Sequence, residues 1–173
     1  ADAAKVPHAN PIIGLVAPDT ALGEFVHLFA NRVALLEERE PLGNSDNSIE
    51  MMDELRDDND NSYNAQTFLR ARLLDLLLGD WDRHPDQWRW VDTKKGKGKF
   101  YEPVPRDRDQ ALFTRQGFFP WLASRPAFLP TLEGFDDKIK RVKYSLIKTN
   151  FVNGYMASQF TLDELMQITN EFV

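Results

Sequence analysis

The 173 residues fit one domain, and with 42% hydrophobic and 12% aromatic content they can bury a core, which excludes a disordered chain. With 27 acidic against 21 basic residues the net charge is -6, so no global field draws nucleic acid or anionic membrane. Cysteine is absent, which removes disulfides, thiolate nucleophiles and Cys-ligated zinc and suits an extracytoplasmic bacterial protein.

Ile12-Ile13-Gly14-Leu15-Val16 predicts a short strand closed by the turn signal Pro18-Asp19. A helix is expected next: Leu22, Phe25, Val26, Phe29, Val33 and Leu36 recur at helical spacing, Thr20 can cap the start, and Pro41 to Gly43 lie beyond the end. A second, short helix is predicted over Ile49 to Leu55. The polar stretch from Asp57 to Asn64 begins like a calcium loop. Ser62 takes the place of the turn glycine, however, and Phe68 that of the terminal glutamate, so a solvated loop is the better reading. Asn64 can cap a third helix carrying Phe68, Leu69, Leu73, Leu76 and Leu77, which Gly79 ends. The apolar run 73–78 is interrupted by Asp75 and is too short to cross a bilayer.

Trp88 to Val91 and Phe100 to Val104 read as two strands joined by the turn Lys94-Lys95-Gly96-Lys97-Gly98, a hairpin in which Trp88 and Trp90 share one face as packing residues. Asp136 to Ile147 is expected to be helical, and Thr161 with Glu164 spells a capping box for a last helix through Phe172. His8, His27 and His84 have no metal-site spacing, which argues against a zinc hydrolase. The predicted whole is one α+β, mainly α, domain over 1–173. Its subdivisions are a hinge strand region at 1–18, the concentrated chemistry at 64–113 and a helical subdomain at 135–173.

That chemistry flanks the hairpin. Gly79-Asp80-Trp81-Asp82-Arg83-His84-Pro85-Asp86-Gln87 precedes the first strand, and Pro103-Val104-Pro105-Arg106-Asp107-Arg108-Asp109-Gln110 ends the second. An antiparallel hairpin brings its open ends together, so Asp82 and Asp107 are expected to be neighbours. Two close carboxylates share a proton or hold a cation, and magnesium needs only one or two carboxylates plus substrate phosphate oxygens. Without further context, Asp82-Arg83-His84 is equally a polar turn whose arginine pairs with Asp80 or Asp86.

Asp82-Arg83-His84 resembles the Asp-Arg-His catalytic loop of phosphatidylinositol kinases, and Pro105-Arg106-Asp107 resembles the Pro-Trp-Asp segment of CotH-type spore-coat kinases. HipA-type and secretory-pathway kinases share this two-segment logic. The resemblance covers about Phe68 to Phe113 and implies the large, C-terminal lobe of a protein-kinase-like fold, acting with ATP and magnesium on a hydroxyl-bearing acceptor. It implies that Asp82 takes the acceptor's proton, that Arg83 and His84 support the loop, and that Asp107 holds magnesium against the nucleotide, with Gln87 and Asp109 as further ligands. Gln87 stands where the lipid-kinase pattern has an asparagine. No glycine-rich flap or phosphate-pairing strand lysine fits this chain, so a small lobe is expected upstream and the 173 residues alone are expected to be inactive. The other two readings are a kinase-fold scaffold without turnover and a metal-dependent phosphohydrolase or nuclease using Asp82, Asp107 and Asp109.

Overall fold

Asn31 lies at φ 60, a left-handed position that asparagine tolerates, and there the chain reverses on itself. The Asn31 and Val16 amides close the turn, donating to the carbonyls of Val16 and Arg32 at 2.8 and 2.9 Å. The computed structural model describes residues 1–172, which form an α+β protein divided into two compact units. The smaller, His8–Gly43, holds strand β1 (Ile12–Leu15), a 3-10 segment (Thr20–Phe25), the single-turn helix α1 (Val26–Phe29) and strand β2 (Val33–Leu36). β1 and β2 pair antiparallel, Ile12 opposite Leu36 and Leu15 opposite Val33. The helix expected from Leu22 to Leu36 is therefore corrected to a helical turn followed by a strand. Gly23, at φ 55, and Asn31 break the helical path, and β2 supplies the partner that the backbone groups of β1 require. Asp19, rather than Thr20, caps the 3-10 segment, accepting from the Ala21 amide at 2.7 Å.

The larger unit comprises Ala1–Pro7 and Asn44–Val173, so the expected hinge region 1–18 contributes to both units. Helix α2 (Ser48–Asp57) begins at a capping box of Asn47 and Glu50. Strand β3 (Ser62–Tyr63) lies within the stretch expected to be a solvated loop, because it pairs in parallel with the hairpin. Helix α3 (Ala65–Leu78) starts at Asn64, whose side chain accepts from the Thr67 amide at 3.1 Å, and ends at Gly79 in the left-handed conformation, as predicted. The hairpin is strands β4 (Trp88–Asp92) and β5 (Phe100–Pro105), giving a sheet of order β3-β5-β4.

Short helices α4 (Phe118–Ala123) and α5 (Val142–Ser145) follow, then α6 (Asn150–Ala157) and α7 (Leu162–Asn170). The helix expected over 136–147 is corrected: residues 136–141 are irregular, held by the Lys140 amide donating to Glu133 at 2.8 Å and by the Arg141 guanidinium donating to the Ser124 carbonyl at 2.7 Å. The Thr161–Glu164 capping box of α7 is as expected.

One face of the hairpin builds the core. Trp88 and Trp90 are fully buried, with Phe68 of α3 packed 4.6 Å from the Trp88 ring and 5.9 Å from the Trp90 ring. Ala4, Val6, Met51, Ala71, Leu74, Tyr101, Val152 and Met156 complete this core, which anchors α3 and the hairpin to each other. Among the described residues no helix is long and apolar enough to cross a membrane.

Candidate active site

The register of the hairpin sets the geometry of the site. Trp88, first in β4, pairs with Pro105, last in β5, and the Arg106 amide donates to the Gln87 carbonyl at 2.8 Å. The segments that begin and end the hairpin thus meet at its open end, as the sequence implied.

Arg83 fastens them together. Its side chain is fully buried, and Nη1 donates to the carbonyls of Arg106 and Asp107, the latter at 3.4 Å. The other edge of the guanidinium faces acids: Nε reaches Asp75 Oδ2 at 3.1 Å, while Nη2 reaches Asp75 Oδ1 at 3.2 Å and Asp80 Oδ2 at 2.7 Å. Of the partners weighed for Arg83, Asp80 is one, and Asp75 takes the place of Asp86. Arg83 is therefore enclosed on all sides and has no surface to offer a substrate.

Asp75 is the centre of the cluster and was not foreseen. Besides Arg83 it accepts from Arg72 Nη1 at 2.6 Å and from Arg108 Nη1. Two buried carboxylates, Asp75 and Asp80, thus face three arginines, leaving one positive charge in excess. Burial lowers the pKa values of Arg72 and Arg108, opposed by Asp75. Burial also raises the Asp80 carboxyl to about 6, against the pull of Arg83. The sequence held one signal for this network: Arg72 and Asp75 interrupt an otherwise apolar run, and charged groups inside a buried helix require partners.

Around this anchor the other five residues singled out from sequence take different positions. Asp82 is half-buried and forms an ion pair with Lys148, whose ammonium also lies 4.7 Å from the Trp81 ring centre. Lys148 lies so far along the chain that no sequence pattern connects it to Asp82. His84 is partly exposed, with Nδ1 3.7 Å from Asp86, and its backbone amide donates to Gln87 Oε1 at 3.2 Å. Gln87 is buried, and its amide oxygen is thereby engaged in closing the 84–87 turn. Asp107 and Asp109 are exposed on the irregular segment leaving β5, and Asp107 adopts a left-handed backbone at φ 55.

Among the described residues no group of three or more histidine and acidic side chains forms a ready metal cage. Asp107 and, two residues on, Asp109 are exposed carboxylates of the kind that a sparse magnesium site takes, the remaining positions of such a site being filled by water and phosphate. Gln87 fits less well, because its oxygen already accepts a hydrogen bond. No family model, curated protein or solved structure matches this chain.

Proposed function

We propose that this chain is the catalytic lobe of an atypical, kinase-like phosphotransferase that moves a phosphoryl group from ATP to a hydroxyl acceptor. The observation that supports it most is Arg83, which ties the two segments resembling the catalytic and metal-binding loops of such kinases to a single buried anchor. Asp82, one residue before that anchor, is the base for the acceptor hydroxyl. Asp107, whose own carbonyl accepts from Arg83, is the carboxylate for magnesium, with Asp109 beside it. Magnesium, when bound, neutralises the nucleotide phosphates during transfer. His84 and Gln87 hold the turn between Asp82 and β4, so that the base is presented from fixed backbone.

A small lobe that clamps the nucleotide belongs to this reading. Both faces of the β1–β2 ribbon are exposed and apolar, Ile12, Ile13, Val33 and Leu36 among them, and a lone two-stranded ribbon is barely stable in water. A small lobe would give that ribbon its cover.

The scaffold reading keeps a specific observation of its own: the Asp82 carboxylate is paired with Lys148 and the Gln87 oxygen is engaged. Magnesium-dependent transfer from ATP to a hydroxyl acceptor by the complete gene product, lost in a folded Asp82→Asn variant, is the expected result. Nucleotide hydrolysis without an acceptor would replace this reading with the phosphohydrolase one. Absence of any nucleotide binding would replace it with the scaffold.

A further inference from the structure

Between Asp109 and Glu133 the chain has no acidic residue, although the whole sequence carries a net charge of -6. The charged residues of this stretch are Arg115 and Arg125, set among phenylalanine, tryptophan, leucine and proline. Little of its apolar surface is buried: Phe118, Phe119 and Phe128 are 65%, 79% and 70% exposed, and Trp121 and Leu129 are exposed as well.

The backbone gathers these side chains into one projecting loop. The Phe135 amide donates to the Phe113 carbonyl at 2.7 Å and closes the neck, which the Leu112 amide ties to the Leu78 carbonyl at the end of α3 at 2.8 Å. Inside the loop the Phe118 ring lies 5.7 Å from that of Phe119 and 5.9 Å from that of Trp121. The Leu129 amide reaches the Ala123 carbonyl at 3.0 Å and so returns Phe128 and Leu129 to the side of α4. Arg141 donates to the Ser124 and Pro130 carbonyls at 2.7 and 3.2 Å, so backbone groups of the loop are met from within the protein, as entry into a less polar medium requires.

Both arginines of the loop stand against its aromatic surface. The Arg125 guanidinium lies 4.0 Å from the Trp121 ring centre, and Arg115 shares an open hollow of about 290 Å³ with Thr114, Trp121 and Phe135. Asp136 also lines that hollow, but it is paired with Lys140. Exposed aromatic rings beside cations match the head-group level of an anionic bilayer, where rings are accommodated and phosphates are at hand. A second copy matches less well, because a two-fold contact brings the arginines of one copy toward those of the other. A peptide would find no strand edge here and only the six residues of α4.

We propose that residues 112–130 dock on the surface of an anionic lipid bilayer, with the phenylalanine and tryptophan rings at the head-group level and Arg115 and Arg125 on lipid phosphates. The acidic remainder of the chain stays in water, which gives the contact a single orientation. The loop contains neither Asp82 nor Asp107, so its test does not depend on phosphotransfer.

The complete chain is mixed with vesicles of phosphatidylcholine containing about one third phosphatidylglycerol, and with vesicles of phosphatidylcholine alone. Cosedimentation is expected with the first and about tenfold weaker, or less, with the second. Binding should shift the emission of Trp121, the exposed member of the four tryptophans, to the blue. Salt at about 1 M should erase the preference between vesicles, because the screening length falls to about 3 Å. Phe119→Ser combined with Phe128→Ser removes only exposed rings, so the fold should survive while binding weakens about a hundredfold. Arg115→Gln combined with Arg125→Gln should lower binding of the anionic vesicles to the level of the neutral ones. Ile13→Ser, which removes a side chain of similar exposure from the β1–β2 ribbon, should change nothing. No vesicle binding by the parent, equal binding to both compositions, or a loss in Ile13→Ser as large as in the phenylalanine pair would each overturn the proposal. Self-association in place of vesicle binding, abolished by the phenylalanine pair, would overturn it in favour of a second copy.

Discussion

Arg83 and Asp75 meet edge to edge, Nε on Oδ2 at 3.1 Å and Nη2 on Oδ1 at 3.2 Å, and neither side chain has appreciable contact with solvent. Asp75 sits in the last turns of α3, whereas Arg83 lies beyond its end, so the pair folds the chain leaving the helix back against it. Arg83→Met would leave Asp75 with two arginine partners and Asp80 with none, and would release the Arg106 and Asp107 carbonyls. The expected cost is about 3–5 kcal/mol, read from urea unfolding. A loss within 1 kcal/mol of zero, an order-of-magnitude threshold, would mean that the network is dispensable.

Asp80 makes an unusual contribution to pH dependence. Burial raises its carboxyl from 3.8 to about 6 in the folded chain, so between those values the folded state binds more protons than the unfolded one. Stability linked to this group is therefore greatest below its unfolded pKa and declines as pH rises from about 4 to about 6. Asp80→Asn should remove that decline. Denaturation midpoints measured across this window in the two proteins provide the check, and parallel curves would show that Asp80 titrates normally.

The hairpin tip predicts a contrast between two glycines. Gly98 has φ +74, and a Cβ there would stand 2.4 Å from the Asp60 carbonyl oxygen, whereas a Cβ at Gly14 meets nothing within 4 Å. Gly98→Ala should cost about 1–3 kcal/mol and Gly14→Ala close to nothing. Thermal melts of the two variants decide it, and equal melting temperatures would contradict the close approach of the 57–64 segment to the hairpin.

The proposed site predicts that its two aspartates fail differently. Asp107→Asn should lower magnesium-dependent nucleotide affinity together with turnover. Asp82→Asn should preserve nucleotide binding and lower kcat by about 10²- to 10⁴-fold. Single-turnover assays on the complete gene product separate these outcomes, and two fully active folded variants would exclude both residues from catalysis.

Much of the larger unit was legible because its signals are local. The Asn64 cap, the Gly79 stop and the Thr161–Glu164 box act within a few residues of the ends they define. The alternating Trp88 and Trp90 likewise marked the buried face of β4. The misread elements depend on distant partners. Val33 to Leu36 satisfies a helical period and a strand period alike, and the pairing with Ile12 to Leu15 decides between them. Residues 136–141 are held out of a helix by Glu133, Ser124 and Pro130, none of which pattern connects to them. In the site, the meeting of the two segments followed from hairpin geometry. The Asp75 cluster and the Lys148 partner of Asp82 required the folded chain, since contacts across such separations leave no periodic trace.

The treatment of strand edges differs between the two sheets. In the larger unit the outer side of β4 is met by Asp46, which exchanges two backbone hydrogen bonds with Trp90 at 2.9 and 3.0 Å, and the opposite edge is only the two-residue β3. Little ladder is left there for another chain to extend. The β1–β2 ribbon has neither device: each strand has one partner, and both flanks carry exposed Ile, Val and Leu. When the protein is concentrated, strand addition between molecules should begin at Ile12 to Leu15 or Val33 to Leu36. A lysine placed at Ile13 or Leu35 is the substitution that should keep it soluble.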